Sequence, residues 1–473
     1  MSFTTPAFFA FFLAYYVISY FLPQRAWLVL AAVASSFFYA FWDWRFLFLL
    51  YYVITVSWFV GQRIARATSD VERRRWVMLS VVSCLGVLLI FKYFNFFTDS
   101  FGQMMAAFGL ALQPRFAQVL LPIGISFYTF HALSYTIDLY RRKLAAPADF
   151  LSLTVYLAFF PQLVAGPIVR AHRFLPQIYR GPIYSARKIK LGLLLIAWGY
   201  FLKVCVADNI AIVIDAIFDT PSYFESGNLI FGIVGYSFQI YGDFAGYSLI
   251  AIGLAKLQGF DFPANFLAPY FSRSFSEFWQ RWHISLSSFL RDYLYIPLGG
   301  NRHGRLQEYR NVMITMFLGG LWHGASYNFI IWGVLHGLYL VVQRLWHDAK
   351  RSFHIPSFLH GWIGTALSVA FVYALTLLAW IFFRIHTLHD AIVYIEGIAH
   401  FRQPTYITNK FYAIKVVLFI AITLAVDFVF IRRRNVARLL HTNVAYGFAV
   451  AALLATIEFL GAFGGGAFIY FQF

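Results

Sequence analysis

Between Phe271 and Gly337 the chain carries FSRSFSEFWQRWHISLSSFLRDYLYIPLGGNRHG and then LGGLWHGASYNFIIWGVLHG. Two imidazoles in this stretch are suited to proton transfer. His283 lies among charges, hydroxyls and indoles, whereas His323 lies within the apolar segment that follows, between Trp322 and Gly324. An ionisable side chain at membrane depth marks a functional site by default, because burying it costs free energy unless it is paired or used. Imidazole is the side chain whose proton affinity lies near working pH. A well-placed base of this kind contributes roughly 10²–10⁴ in rate. Gly319, Gly320 and Gly324 are expected to leave room for a substrate beside the His323 ring. His336 is the same residue type without that open neighbourhood.

Other catalytic arrangements do not occur in the sequence. There is no nucleophile elbow, phosphate-binding loop, zinc-protease helix motif or dinucleotide fingerprint. No His or carboxylate cluster has metal-ligand spacing, so no metal and no bound cofactor is expected. Cys84 and Cys205 each sit in an apolar run and read as small buried hydrophobes.

The elements that position these residues are membrane helices. Of 473 residues 61% are hydrophobic and 12% charged, about half the charge of an ordinary globular chain. That leaves too little polar surface for a soluble particle of this size. The 56 Phe, 30 Tyr and 13 Trp suit lipid contact and the headgroup belts. A net charge of +17 collects in short loops, as the positive-inside rule requires, and a basic mouth attracts anionic substrates. No soluble basic domain is present to grip nucleic acid.

Apolar runs of spanning length fall at about 3–22, 26–41, 44–60, 76–97, 119–139, 150–168, 189–218, 228–257, 311–343, 361–384, 411–431 and 445–470. This predicts an all-α polytopic membrane protein of about eleven to thirteen helices forming one domain over 1–473. The first run reads as an uncleaved anchor. Basic segments at 61–76, 141–143, 170–190 and 432–434 place those loops in the cytoplasm and both termini outside. The 150–168 segment must then dip in and return, and Pro161, Gly166 and Pro167 break its helix. Such backbone belongs in a protein interior, not against lipid. In 120–140, His131 and Asp138 read as interhelical hydrogen-bonding groups, with Asp138 expected to pair with the 141–143 cluster. Asp243, in YSFQIYGDFAGYSLIAIGLAKLQGF, needs a donor, expected to be a histidine or arginine of the stretch that follows. Phe275–Tyr293 has apolar residues at spacings of three and four, which predicts one amphipathic helix lying at the membrane surface.

The run EFWQRWHISLSSFLRDYLYIPLGGNR with LGGLWHGASYNFIIWGVLHG resembles the membrane-bound O-acyltransferase (MBOAT) superfamily. It is most similar to the bacterial branch that O-acetylates exported polysaccharides. LPIGISFYTFHALSYTIDLYRR, FFPQLVAGPIVR and the terminal FIYFQF are similar to that branch too, so the resemblance runs from about residue 120 to the end, with core motifs at 120–340. One departure is visible: alginate-type members read Y-F-D-F-S-G-Y-S-D where this chain has Tyr241 to Leu249, keeping Asp243 but replacing the second acid by Leu249.

The resemblance implies an MBOAT fold with re-entrant and interfacial helices around a cytoplasm-facing funnel in the bacterial inner membrane. It implies an acetyl-CoA-dependent O-acyltransferase acting for an exported polysaccharide such as alginate or cellulose. The family's membrane histidine falls on His323 and its more variable polar partner on the helix holding His283. Binding of acyl-CoA or substrate is expected from Asp243, Trp279, Arg281, Trp282, Arg291, Asn301, Arg302, Trp322 and Asn328. The implied partners are acyl-CoA, membrane lipid, an extracytoplasmic acetyltransferase and export machinery. Two other readings are peptidoglycan O-acetylation by the same chemistry and a polysaccharide or lipid-carrier transporter. A transporter tends to show paired repeats, which this sequence lacks.

Overall fold

The computed structural model describes residues 1–110, 118–354, 361–400, 410–432, 443–464 and 468–469. Residues 433–434 of the last basic segment and 470–473 of the terminal motif lie outside the described residues. Every regular element among those described is helical. Among the described residues, six stretches are long and apolar enough to cross a membrane: Gln24–Arg66, Asp70–Ala107, Tyr327–Ser352, Gly361–Arg384, Phe411–Ile431 and Asn443–Leu460. Their bare Phe, Leu, Val and Trp side chains, such as Phe48, Leu89, Trp362 and Phe371, match a hydrocarbon solvent. The protein is a multi-pass membrane protein. Several other expected spans are shorter or broken: 119–139 becomes helix Ile125–Tyr140, and 189–218 is interrupted by a π-helical turn at Phe201–Ala207.

The chain divides into two compact units, one of residues 1–196 and 247–263, the other of 197–246 and 264–473. Helix Ser226–Leu257 contributes residues to both.

In the first unit, Asp70–Ala107 begins where Ser69 accepts a hydrogen bond from the Glu72 N–H at 3.2 Å and Glu72 reaches back to the Thr68 N–H at 3.3 Å. This reciprocal pairing satisfies two donors that a helix start leaves open. Arg73, in the first basic segment, donates to the Ile64, Leu139 and Tyr140 carbonyls at 3.0–3.2 Å. It thereby ties the ends of Leu47–Arg66 and Ile125–Tyr140 together, which brings the 61–76 and 141–143 segments side by side. The broken 150–168 segment is present and is buried from Ser152 to Ile168. Helix Phe150–Ala158 stops at Phe159, and a four-residue helix Phe160–Leu163 follows. Side chains replace the lost backbone partners: Ser35 Oγ accepts from the Phe160 N–H at 3.2 Å, and His131 Nε2 accepts from the Val169 N–H at 3.2 Å. His131 therefore has a structural task. The Asp138 carboxylate lies 2.7 Å from His172 Nδ1, a partner in the 170–190 segment that its sequence neighbours did not suggest.

In the second unit, helices Arg305–His323 and Tyr327–Ser352 pack backbone to backbone. A Cβ added at Gly333 would lie 2.5 Å from the Met316 carbonyl oxygen and 3.1 Å from Gly320 Cα. One added at Gly320 would strike the Phe329 carbonyl, and one at Gly324 the Phe329 ring. Gly320 and Gly324 thus serve close packing and do not hold open space beside His323, contrary to the expectation from sequence.

Candidate functional site

The stretch 275–293 is not one helix. Helix Phe275–Arg281 ends, His283 adopts φ +43°, and helix Ile284–Leu290 resumes, followed by a π-helical turn Arg291–Tyr295. A non-glycine residue in the left-handed region is strained, and such strain collects at functional sites. The break is held by the neighbouring segment 265–267: the Ile284 N–H donates to the Asn265 carbonyl at 2.9 Å, and the Leu267 N–H to the Arg281 carbonyl at 3.0 Å. Ser274 caps the first helix by accepting from the Glu277 N–H at 3.1 Å.

His283 is fully buried. Its Nδ1 lies 3.2 Å from Asn265 Oδ1, which also accepts from the Ser285 N–H at 3.2 Å and Ser285 Oγ–H at 2.9 Å. A backbone N–H can only donate, so the Asn265 atom facing it is the oxygen. Nδ1 of the neutral ring therefore carries the proton and Nε2 carries the lone pair. Burial pushes the His283 imidazole down to about 3, because the charged form loses its hydration. With Nδ1–H committed to Asn265, Nε2 is the acceptor of the ring.

His323 closes helix Arg305–His323 and is 4% exposed. Its ring lies among Trp322 at 4.9 Å, Trp332 at 4.9 Å and Phe383 at 5.0 Å between centroids. Trp322 also lies 6.0 Å from His283, so one indole separates the two histidines. Phe244 meets His283 edge-on at 4.6 Å. Trp279 and Trp282 are buried, and Trp282 packs on Trp380 at 4.9 Å. Asn328, also buried, donates to the Ile385 carbonyl at 2.6 Å.

The polar members lie further out. Arg281 is paired with Glu277 at 2.6 Å, and Arg291 with Asp292 at 2.8 Å. Asn301 and Arg302 are exposed on the turn before Arg305–His323. Asp243 takes its donors elsewhere than expected: Lys203 Nζ lies 2.6 Å from one carboxylate oxygen, and the Ile469 N–H donates to the other at 2.7 Å. Lys203 also meets Asp208 at 2.8 Å. A lysine inside an apolar run, forty residues upstream, carried no pairing signal in sequence. Its position in the π-helical turn Phe201–Ala207 supplies the reason, since that local rewinding sets which way the side chain points. Sequence reasoning also missed Asn265, Trp332 and Phe383. The only available sign for them was their type within otherwise apolar sequence.

The sequence model of the membrane-bound O-acyltransferase family matches residues 88–384. The chain is 40% identical over 394 residues to a probable alginate O-acetylase, AlgI, of Pseudomonas putida, covering 83% of this chain and 79% of that protein. It is 34% identical over 430 residues to a peptidoglycan O-acetyltransferase of Helicobacter pylori, covering 84% and 79%. A teichoic acid D-alanyltransferase of Streptococcus thermophilus is 28% identical over 234 residues, covering 47% and 56%.

Proposed function

From the premise that this chain belongs to the membrane-bound O-acyltransferase family, we propose that it moves an acetyl group from cytoplasmic acetyl-CoA to a hydroxyl, for O-acetylation of an exported polysaccharide. His323 takes the hydroxyl proton as the oxygen attacks the thioester carbonyl. The carbon–sulfur bond breaks, and the proton passes from His323 to the departing CoA sulfur. His283, whose Nδ1–H is held by Asn265, accepts at Nε2 a hydrogen bond from a second hydroxyl of the acceptor and so orients it. The transient oxyanion needs donors already in place in a dry site; the indole N–H groups of Trp282 and Trp322 supply them. Arg281, Arg291 and Arg302, with Asn301, hold the CoA phosphates. Asp243 and Asn328 act by position: Asp243 fixes the helix that sets Phe244 against His283, and Asn328 fixes the start of the helix carrying Trp332.

The observation that carries this reading is the burial of His323 among indole and phenyl rings, with Trp322 shared between it and His283. An imidazole in that setting is shielded from water yet adjacent to N–H donors. The protein sits in the bacterial inner membrane with both termini outside, works with an extracytoplasmic acetyltransferase that completes transfer to the polymer, and binds no metal. Likeness over most of the chain to alginate and peptidoglycan O-acetylating relatives leaves two acceptor polymers in view. Release of CoA from acetyl-CoA by the purified protein tests the donor half. Product acetylation in cells making alginate, cellulose or peptidoglycan identifies the polymer.

A further inference from the structure

His336 lies one indole from the proposed base. Trp332 stands 4.9 Å from the His323 ring and 4.8 Å from the His336 ring, and Trp279 stands 5.1 Å from His336. Phe278 stacks on the other side of His336 at 5.9 Å, nearly parallel. His336 has no solvent exposure. Among the described residues, neither of its ring nitrogens has a hydrogen-bond partner, and the same holds for the indole nitrogens of Trp279 and Trp332. Four polar atoms thus lie in one aromatic cluster with no hydrogen-bond partner among the described residues. Buried polar groups are otherwise almost always paired, so each exception asks for an explanation.

The chemistry of the four atoms is specific. A neutral imidazole presents one N–H and one lone pair, and each indole presents an N–H. Together they offer three donors and one acceptor on flat apolar walls. A secondary amide answers that set, because its carbonyl accepts from the N–H groups while its own N–H donates to the imidazole lone pair. A thioester carbonyl or a phosphate leaves the imidazole lone pair unanswered. Trp279 belongs to helix Phe275–Arg281, which also carries the basic Arg281. The ring order Trp279, His336, Trp332, His323 therefore runs from a basic residue to the proposed base.

We propose that His336, with the indole N–H groups of Trp279 and Trp332, binds the secondary amides of the pantetheine arm of the acyl donor and guides its thioester to His323. This rests on the acyl-CoA reading above. It gives His336 a binding role toward the donor.

The test is equilibrium binding to the full-length protein in detergent, with CoA and adenosine 3′,5′-bisphosphate as separate probes; the second has the phosphates of CoA without its arm. His336→Leu weakens CoA binding about tenfold, the loss of two neutral hydrogen bonds, and leaves adenosine 3′,5′-bisphosphate unchanged. His336→Asn, which keeps a donor and an acceptor, restores CoA binding to within about threefold of wild type. Trp332→Phe keeps the wall and removes one N–H, and it weakens CoA alone by a smaller factor. CoA binding unchanged in His336→Leu and Trp332→Phe, or weakened in parallel with the bisphosphate, overturns the inference while the donor reading stands. A wild-type protein that binds neither probe overturns both.

Discussion

His283 Nδ1 lies 3.2 Å from the side-chain oxygen of Asn265, and that oxygen also receives two hydrogen bonds from Ser285. The one amide therefore fixes the His283 tautomer and holds a left-handed residue between two short helices. Asn265→Leu removes all three acceptor contacts and is expected to lower activity at least about tenfold, since each hydrogen bond to a buried group is worth about 1 kcal/mol. Asn265→Asp keeps the acceptor and retains more activity than the leucine variant. Acetylation of product in cells, normalised to protein level, measures both.

Acid sensitivity follows from the same residue. The folded protein holds His283 neutral down to about pH 3, whereas in the unfolded chain it binds a proton near pH 6.5. Between those values the unfolded state binds the extra proton, so stability rises with pH. The contribution is whole above pH 6.5 and is lost as pH falls toward 3. His283→Asn is expected to flatten this part of the profile of thermal unfolding in detergent. An equally steep profile in that variant assigns the acid sensitivity to other groups.

Lys203 holds two carboxylates, Asp243 at 2.6 Å and Asp208 at 2.8 Å. Lys203→Met leaves both buried acids without their cation and is expected to cost about 3–5 kcal/mol. Asp243→Asn leaves the Lys203–Asp208 pair intact and is expected to cost less. Unfolding midpoints in detergent rank the two; a milder effect from Lys203→Met contradicts the pairing.

Close helix packing sets the position of His323. Gly333→Ala puts a methyl group 2.5 Å from the Met316 carbonyl oxygen, which is backbone and cannot step aside. The helices carrying His323 and Trp332 must part. A misplacement of about 1 Å near a reacting centre costs on the order of 10²-fold in rate, so activity is expected to fall steeply even where protein is made. Turnover per folded protein checks this, and near-normal turnover rules the packing argument out.

Much of this arrangement is legible in the sequence because membrane burial leaves strong marks. Charge depletion gives the helical membrane class, and Pro161, Gly166 and Pro167 give the broken segment. His323 stands out as an ionisable group in an apolar run. Partners set by local rewinding left no such mark. The π-helical turn Phe201–Ala207 brings Lys203 to Asp243, and the break at His283 turns an amphipathic pattern into two short helices. Periodicity reports which residues are apolar and says nothing of where the backbone departs from a regular helix. The glycines near His323 misled for a related reason: an absent side chain serves open space and close packing equally well in sequence, and only the facing helix distinguishes them.

The central claim is that His323 is the base for transfer from acetyl-CoA. The most direct measurement is release of CoA from acetyl-labelled acetyl-CoA by purified protein supplied with its acceptor, comparing wild type with His323→Ala. The account predicts turnover in wild type and a loss of roughly 10²–10⁴ in the variant, the range for a positioned general base, with CoA still bound. Turnover in His323→Ala equal to wild type contradicts it.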